Sequence, residues 1–352
     1  MENERIKAWL PAIRAGSGTD VYTRRLAASL ERHGIMAQIT WFPLSHELLP
    51  ALLQRTQPPL GTDIIIANSW NGFAFERNNL PLVVIVHHCV FDPGLRPYKS
   101  VLQSLYHRFF AEPREVRSMH AADAVVTVSH YVANHLRQKI SMDGVEVINN
   151  WVDTELFKPK PQETHENRPF RLLFIGKPTR LKGGDLLAPL MRRLGTDFEL
   201  RFTAEPQDCR RMNLPANMIP VGKFTEQGMV RAYQECDAVL LPSHAEGFGY
   251  AALEGMACGK PVITSNNTAL PEIIIDGVTG ILCETNDIEA FARAGQLLAQ
   301  DSTLCSVMGS AGRQRTMETF SESMLIDRYI RLIHQCLMPK KDSLTLPSSS
   351  FP

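Results

Sequence analysis

At 352 residues the chain is longer than one hydrophobic core usually serves, so two domains are expected. Apolar residues make up 44% and charged residues 21%, ordinary values for a soluble globular enzyme. Lys+Arg and Asp+Glu both number 37, so no global field favours nucleic acid, which is not expected as a partner.

The amino terminus, "MENERIKAWLPAIRAG", is charged and lacks the apolar segment of a signal peptide. No run approaches the ~18 to 20 apolar residues of a membrane span. Seven scattered cysteines without a C-x-x-C pair argue for reduced thiols, a cytoplasmic setting and no zinc site.

The first informative element is "AGSGTDVYTRRLAASLERHG" (15–34), a glycine-containing loop followed by an amphipathic helix that ends at Gly34. Gly16 and Gly18 allow close backbone approach to a ligand, and the helix N-terminus favours an anion. A tight strand-to-helix turn accounts for the same loop. Val21 stands at the third-glycine position of a dinucleotide fingerprint, and the following "AQITWF" carries no acid, which disfavours NAD.

Strands follow at 63–67, 81–87, 123–129 and 145–149. Their Val/Ile runs without strict alternation suit parallel sheets covered by helices on both faces. "VIVHHCVFD" (84–92) ends one strand with His87 and His88, either of which can face a cleft or serve structure alone. "RPYKSVLQSLYHRFFAEPREVRSMH" (96–120) interleaves five arginines and lysines with aromatic and apolar residues. That mixture suits an amphipathic helix on anionic membrane, or an ordinary helix packed on the domain.

The domain boundaries drawn are 1–157 for an N-terminal acceptor-binding domain, 158–169 for a linker ("KPKPQETHENRP") and 170–319 for a C-terminal domain. A helix at 320–338, able to cross back to the first domain, and a flexible tail at 339–352 complete the chain. In the second half strands are expected at 170–176, 197–203, 237–243, 260–264 and 280–283. "FIGKPTRLKGGD" (174–185) puts Lys177, Arg180 and Lys182 just past a buried strand, where they can clamp a diphosphate. "SHAEGFGYAALEGMACG" (243–259) sets Glu246 in a loop and Glu254 on the helix opening from it. Both carboxylates accept hydrogen bonds, Glu246 from a sugar and Glu254 from a ribose diol, with Gly247 and Gly249 keeping the wall between them thin.

Taken in order, these motifs resemble family 4 of the retaining glycosyltransferases over residues 5–335. "EGFGYAALE" matches its Glu-x7-Glu element, "GKPTRLKG" its Gly-Arg-x4-Lys-Gly loop, and "VINNWVDTELFKP" its segment before the linker. The resemblance implies an α/β GT-B fold, two facing Rossmann-like domains with a cleft between them. It implies a retaining, metal-independent hexosyltransferase with no cofactor, taking a UDP- or GDP-linked sugar as donor. The acceptor implied is a glycan or lipid-linked molecule of cell-surface polysaccharide or lipopolysaccharide synthesis. By the same resemblance, Glu246 and His87 contact the transferred sugar, and Lys177 and Lys182 hold the diphosphate. Glu254 takes the ribose, and Gly16, Gly18, Arg180, Gly247, Phe248, Gly249, Thr268, Ala269 and Leu270 line the donor pocket. There are three departures from the pattern: Lys177 for arginine, the pair Thr268-Ala269 for Gly-Gly, and Trp151 for a glycine, where Asn150 can take the left-handed conformation instead. A nucleotide-sugar epimerase and a non-catalytic sugar-binding protein are the rival readings on the same fold.

Overall fold

A computed structural model describes residues 5–160, 168–209 and 213–338. Most of the linker (161–167) and the tail expected at 339–352 lie outside them. The first half contains β1 (Lys7–Ile13), β2 (Met36–Phe42), β3 (Ile64–Asn68), β4 (Leu82–Val86), β5 (Ala124–Thr127) and β6 (Glu146–Val147). They form one parallel sheet in the order β2-β1-β3-β4-β5-β6. The second half contains β7 (Phe170–Phe174), β8 (Phe198–Phe202), β9 (Met218–Pro220), β10 (Ala238–Leu241), β11 (Val262–Ser265) and β12 (Gly280–Cys283). These are again all parallel, in the order β12-β11-β10-β7-β8-β9. Two strands went unread in the sequence. β1 ("KAWLPAI") carries a proline and alternates poorly, and β9 is three residues long.

Doubly wound parallel sheets bind ligands off the strands' carboxyl ends, where the direction of winding reverses. Here the reversals fall between β1 and β3, and between β7 and β10. The glycine loop after β1 and the basic loop after β7 therefore open at the two crevices, and the loop after β10 lies beside the second.

The helix Glu322–Leu337 packs on the first half of the chain. Tyr329 and Tyr22 share a buried hydroxyl hydrogen bond, Glu322 pairs with Arg32 and accepts from Ser29 Oγ (2.8 Å), and Arg328 reaches Glu146. One buried cluster runs from Leu26 and Ile66 through Trp151 and Phe157 to Leu253 and Ile326, joining both halves. Arg313 ties the crossing segment down, donating to the carbonyls of Thr154, Phe157 and Ala257. Asn150 does not take the left-handed conformation expected of it. Trp151 sits with its ring between Tyr22 and Tyr329, so buried aromatic packing sets this segment rather than a turn.

Candidate active site

The glycine loop closes on itself. Gly16 adopts φ +67°, and its amide and that of Ala15 donate to the Asp20 carboxylate at 2.9 and 3.1 Å. An internal carboxylate thus takes up the Ala15 and Gly16 amides, just before the helix N-terminus at Gly18 where an anion was expected. Gly18 opens the helix Gly18–Arg32, and a Cβ there would lie 3.6 Å from the Tyr250 ring of the other half.

At the end of β4, His87 stacks edge-on against Tyr22 and bonds Asn68 Oδ1 at 3.0 Å. His88 faces the cavity between the halves and is the more open of the two. The His87 ring is kept neutral: burial, with His88 alongside, lowers it to about 3. His88 is exposed, and the nearby charges of Lys182, His107 and Lys99 disfavour its protonation.

The basic loop reaches across to the loop after β10. Gly183, at φ +71°, lies so near Pro242 that an added Cβ would come within 2.1 Å of its carbonyl. That approach lets Lys182 Nζ bond both Glu246 oxygens at 2.6 Å. Ser243 Oγ donates to the same carboxylate at 2.8 Å. Lys177 stands exposed, and Arg180 lies over the Tyr98 ring (5.8 Å) with Asp185 at 3.6 Å.

The glycines after Glu246 are required by contact. A Cβ on Gly247 would fall 1.9 Å from the His87 carbonyl, and the Gly247 carbonyl accepts from Ser129 Oγ at 2.8 Å. Gly249 takes φ +117° to start the helix Tyr250–Ala257. Thr268 supplies the left-handed residue itself at φ +50°, a strained setting for a β-branched side chain. Its Oγ1 accepts the Glu246 amide at 3.0 Å, so the strain fixes the glutamate's loop. Ala269 and Leu270 are fully buried behind it. Phe248 differs from expectation: its side chain packs on Phe320 and Tyr250 in the core, leaving only backbone for a ligand.

Glu254 is not free. It is 4% exposed, accepts from Arg25 Nη2 at 2.7 Å and from Tyr233 OH at 3.1 Å, and Arg25 comes from the opposite domain. Glu272 also spans the halves, its two oxygens capping the amides of His130 and Tyr131 at 2.8 and 2.6 Å. Neither Arg25 nor these amides belongs to a recognisable motif, because only the domain packing brings them to their partners.

A cavity of about 550 Å³ opens beside His87 and His88, between the first domain and residues 179–181 of the second. Trp70, Tyr98, Lys99, Gln103 and His107 line it, none of which the sequence marked as site residues. A cavity of about 560 Å³ lies instead at the amino ends of β1 and β2, around Arg5, Lys7 and Met36, away from every loop described above. Among the described residues no group of three acidic, His or Cys side chains converges as a metal site would need.

Comparison with known proteins agrees with this architecture. The family profile "Glycosyltransferase Family 4" matches residues 20–156, and "Glycosyl transferases group 1" matches residues 157–315. A D-inositol 3-phosphate glycosyltransferase of Arthrobacter sp. (strain FB24) is 32% identical, over 79% of this chain and 74% of the relative. A sucrose-phosphate synthase structure from Thermosynechococcus elongatus superposes with TM-score 0.79 at 21% identity, covering 94% of this chain and 99% of that one. An Anabaena protein, Alr3699/HepE, solved with UDP and glucose, does so with TM-score 0.70 at 18% identity, covering 94% and 100%. The fold is GT-B.

Proposed function

Because the chain belongs to glycosyltransferase family 4, we propose that it moves a hexosyl group from a UDP- or GDP-linked sugar to a hydroxyl of a glycan or lipid-linked acceptor. The observation that supports this most is the convergence at the cleft. The Lys182–Glu246 pair and His87 come from different domains, with Gly247 so close to the His87 carbonyl that no side chain fits between them.

In this reading the donor diphosphate lies along the basic loop, with Lys182, Lys177 and Arg180 neutralising its charge. Glu246 and His87 take hydrogen bonds with the sugar, and Glu254 takes the ribose once Arg25 swings away. The bond from the anomeric carbon to the β-phosphate oxygen breaks, and the phosphate keeps the electron pair. The acceptor oxygen bonds that carbon on the same face, and its proton passes to the departing phosphate. Glu246 and Glu254 are each held by a cation, which suits recognition rather than nucleophilic attack. The lysines supply the leaving-group stabilisation, so we propose a reaction without metal.

A screen of UDP- and GDP-hexoses in excess EDTA tests this, with nucleotide release followed with and without acceptors. Acceptor-dependent release and a product of unchanged anomeric configuration are expected. A rearranged sugar formed without acceptor would make the protein an epimerase. Activity lost in EDTA and restored by magnesium would overturn the metal-free step.

A second observation favours an acceptor met at a membrane surface on the cytoplasmic side. Val101, Leu102, Leu105, Phe109 and Phe110 are exposed (Leu102 79%, Phe109 64%), and so are Leu44, Leu48, Leu49 and Leu52. The Tyr106–Glu47 hydrogen bond joins these two segments into one surface, and Gln103, His107 and Glu47 line the cavity behind it. With Arg96 and Arg108 also exposed, this rim suits peripheral contact with anionic lipid. Among the described residues no helix is long and apolar enough to cross a membrane.

A further inference from the structure

The segment that follows the two histidines forms a strap from the first domain onto the second. Its short helix, Pro93–Tyr98, is fastened at both ends within the first domain. At one end Asp92 accepts from the Gly94 amide at 2.7 Å and the Tyr131 hydroxyl at 2.6 Å, with His135 at 3.3 Å. At the other, the Lys99 ammonium donates to the Val90 carbonyl, while the Val90 amide donates to the buried Glu115 carboxylate at 3.1 Å. Leu95 is buried between these anchors, so the strap has a fixed course, and Tyr98 ends it.

Tyr98 meets His244 of the second domain. The two rings stack with centroids 4.2 Å apart and planes only 10° from parallel. His244 ties the basic loop to the loop of Glu246. Its amide donates to the carbonyl of Leu181, the residue before Lys182, at 2.9 Å, and Glu246 follows it closely in the chain. Asp185 joins the same two loops through side chains, lying 3.4 Å from His244 Nε2 and 3.6 Å from Arg180 Nε. His244 Nδ1 is buried and has no hydrogen-bond partner among the described residues. An unpaired buried nitrogen is costly, so hydrogen bonding alone does not explain an imidazole here. A flat ring face for Tyr98 does.

We propose that Tyr98 is a positioning residue for the transfer. Docked on His244, it sets the Lys182–Glu246 pair of the second domain at a fixed distance from His87, which stands at the root of the strap. Tyr98 acts through His244 and not on the reacting atoms. This rests on the glycosyltransferase reading and adds to it a residue that the family's motifs do not contain. The physical reason is one of tolerance. Groups from two domains must converge on one sugar, and a misplacement of about 1 Å can cost ~10²-fold in rate.

The test is steady-state kinetics of the full chain, beside UDP binding by calorimetry. The donor is whichever of UDP-glucose, UDP-galactose and GDP-mannose the wild type turns over, with water, glucose, inositol and maltose as acceptors. Tyr98→Ala should lower kcat by ~10²-fold, while UDP affinity and both KM values stay near those of wild type. Tyr98→Phe keeps the stacking face and should retain wild-type kcat. His244→Ala should lose as much as Tyr98→Ala, and the double variant no more than either, because the two rings act as one unit. Tyr98 is half-buried, so its variants should keep native circular dichroism, and they carry the test if the buried His244→Ala fails to fold. Unchanged kcat in Tyr98→Ala would overturn the proposal, as would single losses that multiply in the double variant. A loss confined to the acceptor KM would overturn it by making Tyr98 an acceptor contact. Tyr98→Phe as slow as Tyr98→Ala would do so by assigning the role to the hydroxyl. A wild type that turns over none of the donors would count against the glycosyltransferase reading instead.

Discussion

Arg25 and Glu254 meet at 2.7 Å across the domain boundary, with side chains only 13% and 5% exposed. The helix after the glycine loop thereby holds the second carboxylate of the Glu-x7-Glu element. Arg25 also lies over the Tyr250 and Phe157 rings, so it is packed as well as paired. The two domains are thus latched through the carboxylate proposed to take the nucleotide's ribose.

Removing one partner of such a buried pair leaves the other uncompensated. Arg25→Ala should therefore lower unfolding stability by about 3 kcal/mol in denaturant titrations. Glu254→Gln keeps the shape and the Tyr233 contact but loses the charge, and should weaken UDP binding in calorimetry. If Glu254→Gln binds UDP as wild type does, the glutamate serves the latch and not the nucleotide.

Glu246 is held by Lys182 and Ser243 at the centre of the cleft. Glu246→Ala should reduce kcat by ~10²-fold or more at saturating donor, the scale of losing one placed polar group in an active site. Circular dichroism should stay native, because the loop is also fixed through the Thr268 hydroxyl. Turnover near that of wild type would remove Glu246 from the sugar site.

His87 at the end of β4 sets a pH dependence of known sign. An unfolded chain takes a proton there near pH 6.5, whereas the folded protein resists until about 3. The unfolded state binds more protons in that window, so the contribution of His87 to stability falls as pH drops from about 6.5 toward 3. Glu115, raised to about 7, acts oppositely between its unfolded value and 7. Urea titrations at pH 7, 6 and 5 should show a shallower acid loss in His87→Asn than in wild type; identical slopes would mean that His87 titrates normally.

The exposed rim at 101–110 predicts flotation with anionic liposomes at low salt, weakened by Arg108→Glu/Phe109→Ser. Both changes lie on exposed side chains, so the fold should survive them. Wild type remaining with the unbound fraction would exclude lipid contact through this surface.

The order of elements and the paired α/β halves were legible in the sequence, because each is a local signal. Buried parallel strands read as Val/Ile/Leu runs, and glycines mark turns that no other residue makes cheaply. Glu246, Lys182 and His87 stand out as candidates in the sequence because each follows such a run. Tertiary packing decided what those residues touch. Asp20 takes up the Gly16 amide of its own loop, Phe248 turns into the core, and Arg25 claims Glu254. Trp70, Tyr98 and Lys99 line the cavity; the basic and aromatic pattern at 96–120 includes Tyr98 and Lys99 but does not by itself reveal a cavity. A side chain's partner across a cleft depends on how two domains dock, and residues 229 positions apart in the chain carry no local trace of that.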